Sequence, residues 1–451
     1  MAERSLLVTL SGEIHTKSRR TSRWFRRVLL DHMRRAVGDE EVTVEDRGRV
    51  IVVQTADPDA TAERLATVMG VQRVDRGTRV SAASLDTLRD ETSAIARPLV
   101  RNRTFAVRLQ RRGQHDWRSP DATRAIGAAL LGDSAGVDLD EPDVEVRVEV
   151  YGREAWVVDR TWPGPAGLPL GTQEPILALL SGGFDSPVAA WMMMRRGAPV
   201  DFVHFTLECA ASDHALLVAK DLWSRWGHGS SPAVWKVEFQ PVKSQLFAST
   251  PPRLRQIVLK QLMFAAADEL ADELGIAALV TGESVGQVSS QTMAHLAQID
   301  RMVTRTVLRP LAGLTKQEII DWSRRIGTET LSARAKEVCD LSDGPVAVAA
   351  RPETLARAHA GLPRDLVADA LADREVISLA HWRPGAPLVP VLTEPWEGVP
   401  IVRGTRDDSS DGPAVFVGKQ AIELASAAHA AGRRVAVLAP RRQPVLEPMP
   451  R

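Results

Sequence analysis

Ile176-Leu-Ala-Leu-Leu180 runs directly into Ser181-Gly-Gly-Phe-Asp-Ser186, and Pro187-Val-Ala-Ala-Trp-Met-Met-Met-Arg-Arg196 follows. The first stretch reads as a buried apolar strand and the last as a helix, so the six residues between them form a strand-to-helix loop. Such a loop gathers backbone N–H groups at the positive end of a helix dipole, which makes an anion site suited to phosphate. Gly182 and Gly183 let the backbone approach a ligand without a Cβ. Ser181 and Ser186 offer hydroxyls, and Asp185 can orient a hydrated magnesium ion carried by a nucleotide. No Gly-Lys-Ser/Thr ending is present, so this is not a Walker A loop. A turn whose glycines serve only packing is the alternative, and the position between a buried strand and a helix favours the anion site.

Downstream, the alternation continues with strands at Val200–Phe205, Val234–Phe239 and Ile276–Val280 and helices at Arg253–Leu274 and Lys316–Ile326. This predicts a parallel sheet flanked by helices over residues 172–345. Upstream, strand LLVTL, a basic helix at Arg19–Ala36, strands VTVED and RVIVVQT, a helix at Ala60–Met69 and VQRVDRG predict a ferredoxin-like α+β unit over residues 1–78. A second α/β unit, residues 79–168, carries helices Leu85–Leu99 and Asp121–Leu131 between strands TFAVRLQR, VEVRVEV and EAWVVDR. A further alternating segment from Arg374 to Pro440 predicts a small appended α/β domain, residues 372–445. The fold class is therefore multidomain α/β, as a chain of 451 residues suggests.

Fifty-seven Lys and Arg balance 57 Asp and Glu, so net charge does not identify a polyanionic partner. The distribution is more informative. Lys17, Arg19, Arg20, Arg23, Arg26, Arg27, Arg34 and Arg35 cluster near the N-terminus, and Arg101, Arg103, Arg108, Arg111 and Arg112 form a second basic group. These mark the N-terminal third as the electrostatic candidate for a nucleic acid. No long apolar run or signal-peptide pattern is visible, so no membrane role is expected and the location expected is cytoplasmic. Two cysteines, Cys209 and Cys339, are too few for a disulfide framework or an all-cysteine metal site. No protein-built metal cluster is expected.

Leu179-Leu-Ser-Gly-Gly-Phe-Asp-Ser-Pro-Val-Ala-Ala190 resembles the pyrophosphate loop of the PP-loop ATP pyrophosphatases. Val280-Thr-Gly-Glu-Ser-Val-Gly-Gln-Val-Ser-Ser-Gln-Thr292 is similar to the signature of the tRNA 4-thiouridine synthetases, the tRNA sulfurtransferases. Glu13-Ile-His-Thr-Lys-Ser18 resembles that family's opening segment, and Arg111-Arg-Gly-Gln-His-Asp-Trp117 its RNA-binding THUMP module. Gly171-Thr-Gln-Glu174, Leu308-Arg-Pro-Leu311 and Ile326-Gly-Thr-Glu329 are also similar. The resemblance implies an enzyme that uses ATP with magnesium to adenylate O4 of a tRNA uridine, at position eight near the acceptor stem, and then introduces sulfur.

Carried over by position, it implies that Leu179, Leu180, Ser181, Gly182, Gly183 and Ser186 surround ATP, with His204, Phe205, Gly282 and Gln291. Lys260 stands where the family usually has Arg, which keeps a cation but loses a bidentate fork. Asp185 matches a required loop acid and Lys316 a lysine that assists activation. The resemblance also implies tRNA binding by Lys17, Arg19, Arg20, Arg23, Arg111 and Arg112, a homodimer, and sulfur supply by a cysteine desulfurase or other persulfide donor.

Long-form family members carry the persulfide on a cysteine of a C-terminal rhodanese-like domain, and a central-domain cysteine resolves it. Cys339 in Lys336-Glu-Val-Cys-Asp340 matches the resolving cysteine. Residues 372–445 resemble a degenerate rhodanese-like domain with Gly418 at the active-loop position, so the usual carrier is missing. Its absence argues against the role in thiamine biosynthesis that the resemblance would attach to that domain. Cys209, close after the second strand, is either a replacement carrier or a small buried hydrophobe. Two other functions compete: another PP-loop tRNA modification, or an ATP-regulated RNA-binding protein that has lost sulfur transfer.

Overall fold

The computed structural model describes residues 4–208, 213–335, 341, 346–385, 388–392, 399–403, 412–417 and 420–438. The chain divides into two compact units, Met1–Pro169 and Leu170–Arg451.

The first unit opens with β1 (Arg4–Leu10), α1 (Gly12–His15), α2 (Arg19–Val37), β2 (Thr43–Asp46), β3 (Val50–Gln54), α3 (Pro58–Leu65) and β4 (Val71–Ser81). These strands lie in the order β2-β3-β1-β4 with antiparallel pairing, the arrangement expected of a ferredoxin-like unit. Ser18 caps α2 by accepting the Thr21 N–H. Phe25, Leu29, Met33 and Val37, at four-residue spacing, bury one face of α2 against Leu6, Val8, Ile51 and Val53. The arginines between them are left on the outer face.

α4 (Leu85–Val100), β5 (Thr104–Arg112), α5 (Ser119–Leu130), β6 (Gly136–Val137), β7 (Val144–Tyr151) and β8 (Glu154–Pro163) complete the unit. The boundary expected near residue 78 falls inside β4, which pairs with β1 on one side and β8 on the other. Both modules therefore share one eight-stranded sheet. A buried ion network crosses the seam: Arg73 reaches Asp75 at 2.6 Å and Glu149 at 2.7 Å, and Arg147 reaches Asp75 at 3.3 Å. Asp75 is fully buried, so its two arginines and the Thr161 hydroxyl are what keep it from being an isolated charge.

The second unit begins with β9 (Ile176–Leu179), α6 (Asp185–Met194), β10 (Val200–Thr206), α7 (His214–Trp226), β11 (Ala233–Glu238), α8 (Gln240–Ser249), α9 (Pro252–Leu274) and β12 (Ala278–Val280). α10 (Met293–Asp300), β13 (Thr306–Leu308), α11 (Lys316–Ile326), α12 (Glu329–Ser332), α13 (Pro352–Ala360) and α14 (Leu366–Ala372) follow. β13-β12-β9-β10-β11 form the expected parallel sheet. Ile176, Leu177 and Ala178 are all buried, as a continuous apolar strand covered on both faces requires. α6 starts at Asp185, two residues before the expected Pro187, because proline is compatible with a first helical turn.

The C-terminal segment contributes β14 (Glu375–Ser378), β15 (Val389–Leu392), β16 (Ile401–Arg403), β17 (Ala414–Val417), α15 (Ala421–Ala430) and β18 (Val435–Leu438). It was expected as an appended domain, yet β14 pairs antiparallel with β11 and extends the same sheet to ten strands. The Lys220 ammonium on α7 donates to the Leu379 and Trp382 carbonyls at 2.6 and 2.7 Å. Arg374 pairs with Glu273 on α9 and lies over the Trp235 ring. Arg374 donates to Leu371 O at 2.6 Å as well.

Candidate nucleotide site

β9 has β10 on one side and β12 on the other, so its carboxyl end is a switch point of the parallel sheet, where ligands of open α/β folds bind. That edge brings together Leu180 and Ser181, His204, Gly282 and Glu283, and Arg309 from the ends of four neighbouring strands.

The loop braces itself. Ser186 is buried; its hydroxyl accepts the Ser181 N–H at 2.9 Å and donates to the Ser181 carbonyl at 2.9 Å. The two hydroxyl oxygens are 3.1 Å apart. Ser186 thus holds the loop's shape, whereas Ser181 remains exposed. A Cβ on Gly183 would meet only the Ser181 hydroxyl, at 3.8 Å, which leaves room for a phosphate against the backbone. A Cβ on Gly282 would stand 2.6 Å from the Asp185 carbonyl carbon and 2.8 Å from the Ser186 nitrogen. Only glycine lets the segment that follows β12 press against the start of α6.

Lys316 and Asp185, far apart in the chain, meet at 2.6 Å between Nζ and Oδ1. Thr315 and Glu318 cap α11 reciprocally, which fixes the first turn from which Lys316 projects. Gln287 Nε2 donates to the other Asp185 oxygen at 3.0 Å, and Lys316 Nζ lies 5.5 Å from the Phe184 ring centre. Both carboxylate oxygens are engaged, so Asp185 is oriented and its charge balanced at the mouth of the loop. Among the described residues no group of three or more His, Cys, Asp or Glu could hold a metal ion.

Lys260 faces Glu283 rather than an open cradle. Its ammonium lies 3.0 Å from Glu283 Oε1, while Arg309 Nε is 2.9 Å from Oε2. Arg309 also holds Asp300 at 2.6 Å. Glu283 is buried, so the two cations compensate it, and with Asp300 the group holds two positive and two negative charges. Sequence reasoning passed over Glu283 and Arg309 as site residues; the available signal was their place just beyond β12 and β13, within three residues of the strand ends.

His204 donates from Nδ1 to the Leu180 carbonyl at 3.1 Å, which fixes its tautomer, and burial pushes its pKa down, so the ring is neutral. The neighbouring Phe205 ring packs against Phe239 at 4.5 Å between centroids and belongs to the core. Gln291 is buried with Oε1 unpartnered among the described residues, as is Gln287 Oε1. Buried acceptors without donors fit a site completed by a ligand with N–H groups. His295 braces this signature segment: Nδ1 donates to Ser289 O at 2.8 Å and Nε2 accepts the Ala350 N–H at 3.0 Å. Leu180 is buried and Leu179 half-buried beside the loop. Cys209, Cys339 and Gly418 lie outside the described residues.

In the first unit, Lys17, Arg19, Arg20 and Arg23 are exposed. Arg111 and Arg112 are half-buried and differently used. Arg111 stacks over Trp117 and contacts His115 at 3.3 Å; Arg112 donates to the Tyr151 hydroxyl at 2.8 Å and covers its ring. The six candidates therefore separate into exposed cations at Lys17 and the first turns of α2 and a pair committed to aromatic packing.

The chain matches the family model described as "Thiamine biosynthesis protein (ThiI)" over residues 171–361, the THUMP domain over 82–158 and the ThiI ferredoxin-like domain over 6–74. It is 40% identical over 343 residues to a tRNA sulfurtransferase of Desulfurococcus amylolyticus, covering 74% of this chain and 70% of that protein. A probable tRNA sulfurtransferase of Aeropyrum pernix is 39% identical over 350 residues, with 76% and 88% covered. A tRNA sulfurtransferase of Tolumonas auensis is 33% identical over 383 residues, with 83% and 79% covered. Among solved structures, a 4-thiouridine synthetase in complex with RNA and bound ATP superposes with a TM-score of 0.69 at 25% identity, covering 83% of this chain and 99% of that one.

Proposed function

The chain belongs to the tRNA sulfurtransferase family, and we propose from this that it converts a tRNA uridine, at position eight near the acceptor stem, to 4-thiouridine with ATP. The observation that carries the chemistry is the Lys316–Asp185 pair at the mouth of the glycine loop, beside the Lys260–Glu283–Arg309 group. O4 of uridine is a poor leaving group and must be activated. Attack of O4 on the α-phosphorus of ATP breaks the bond to the β-phosphate, and the loop N–H groups favour the departing pyrophosphate. Lys316, held by Asp185, would offset charge developing on the phosphates, and Asp185 would orient a hydrated magnesium ion carried with ATP.

A sulfur nucleophile then attacks C4, the C4–O bond breaks and AMP leaves. With Gly418 in place of the usual carrier, the sulfur comes from a cysteine desulfurase or another persulfide donor. In one route Cys209 carries the persulfide and Cys339 attacks its inner sulfur after transfer, forming a disulfide that an external thiol reduces. Lys17, Arg19, Arg20 and Arg23 contact tRNA phosphates, and the enzyme acts in the cytoplasm as a homodimer. Among the described residues no helix is long and apolar enough to cross a membrane.

The test is nucleoside mass spectrometry of an unmodified tRNA transcript incubated with the protein, ATP, magnesium and a cysteine desulfurase with cysteine. Formation of 4-thiouridine with stoichiometric AMP is the expected result. AMP without thiolated product, under every sulfur supply, would point instead to an ATP-dependent RNA-binding role. A Cys209→Ala protein that keeps multiple turnover sinks the cysteine-pair route alone.

A further inference from the structure

His214 opens α7, and its imidazole edge rests on the first glycine of the loop: a Cβ on Gly182 would stand 2.5 Å from His214 Cδ2 and 3.4 Å from Nε2. Nε2 is closed off from solvent and has no hydrogen-bond partner among the described residues. The other buried imidazoles near this site are matched: His204 donates to Leu180 O, and His295 uses both nitrogens on Ser289 O and the Ala350 N–H. Unlike those two imidazoles, His214 leaves a desolvated ring nitrogen unpartnered beside the loop, and such a group is stabilised when a ligand supplies its partner.

α7 runs for 13 residues from His214, so its positive dipole end is at this loop. Its N-cap residue, Asp213, makes no side-chain cap; one of its carboxylate oxygens accepts the Gly385 N–H at 2.8 Å. The first-turn N–H groups of α7 are thus left without a side-chain cap from Asp213.

We propose that His214 binds the pyrophosphate half of ATP, with Nε2–H donating to an oxygen of the β- or γ-phosphate and holding it as the bond to the α-phosphorus breaks. This rests on the ATP-activation reading of the loop and deepens it. It also gives Gly182 a specific reason to be glycine, since any side chain there would push the imidazole off the loop.

Titration calorimetry of the full-length protein with inorganic pyrophosphate and magnesium, and separately with adenosine, tests the proposal. His214→Ala should weaken pyrophosphate binding by about 10- to 100-fold, the range of one hydrogen bond to a charged group, and leave adenosine binding within about twofold. His214→Gln, whose side-chain N–H₂ reaches a similar position, should restore most of the loss. Unchanged pyrophosphate binding in His214→Ala overturns the proposal. Parallel loss of adenosine and pyrophosphate in both variants also overturns it, because that pattern assigns His214 to packing. A wild-type protein that binds neither adenosine nor pyrophosphate instead rejects the ATP-activation reading itself.

Discussion

Gly282 shows how a single atom can decide the site. Its missing Cβ would lie against the backbone of Asp185 and Ser186, and backbone at a braced helix start cannot yield as a flexible side chain can. We expect Gly282→Ala to lower stability by about 1–3 kcal/mol and to abolish measurable ATP binding, read by urea titration and calorimetry. Lys316 tests the chemistry rather than the packing. Being half-exposed, its pair with Asp185 adds little to stability, so Lys316→Met should leave the unfolding midpoint nearly unchanged. AMP formation by that variant should fall about 10²-fold in single-turnover assays, as for loss of one stabilising charge in a transition state. At this scale the sequence singled out Gly182, Gly183, Asp185 and Lys316 as candidates because they lie in motifs with fixed local spacing, and the structure places Lys316 on Asp185. The sequence did not show that Ser186 turns inward onto Ser181 or that the Lys260 ammonium meets Glu283.

Between elements, Glu283 is the tie. It follows β12, receives Lys260 from α9 and Arg309 from the end of β13, and is itself buried. Removing it leaves two cations facing each other at low exposure. Glu283→Ala should cost roughly 3–5 kcal/mol, the range for stripping one partner from a buried ion pair, and shift the denaturant midpoint without altering the slope. The elements themselves were largely visible in advance, because helix and strand periodicities are local properties. What the periodicity could not show was pairing: β4 joins two modules in one sheet, and β14 adds to β11 instead of founding a separate sheet. A strand's edge is chosen by what remains unpaired nearby, and nothing in VISLA announces it.

Across the second unit, four histidines share one electrostatic condition. His204, His228, His295 and His359 all have pKa values pushed below 6.5 by burial. As pH falls through 6.5 the unfolded chain takes up protons that the folded state refuses, so stability must fall on acidification. Asp201 works in the opposite sense. Desolvation raises it from 3.8 to about 6, so the folded state binds its proton first and gains stability as pH drops through that window. Four terms oppose one, and the melting temperature should decline between pH 7 and pH 5. Asp201→Asn, which keeps an acceptor for the Ala233 N–H, should be more stable at pH 7 and show the steeper decline, both measurable by scanning calorimetry.

By itself the sequence determined the succession of modules, the strand-to-helix setting of the Ser181–Ser186 loop and the family. Each depends on residue order within a short window: an apolar run, a glycine pair, a capped helix start. Tertiary structure decided which distant groups complete that loop. Lys316 reached Asp185, Arg309 shared Glu283 with Lys260, and His214 came to rest on Gly182 with an unpartnered nitrogen. These contacts are set by the order of strands in the sheet and the direction of the helices leaving it, and linear spacing carries neither.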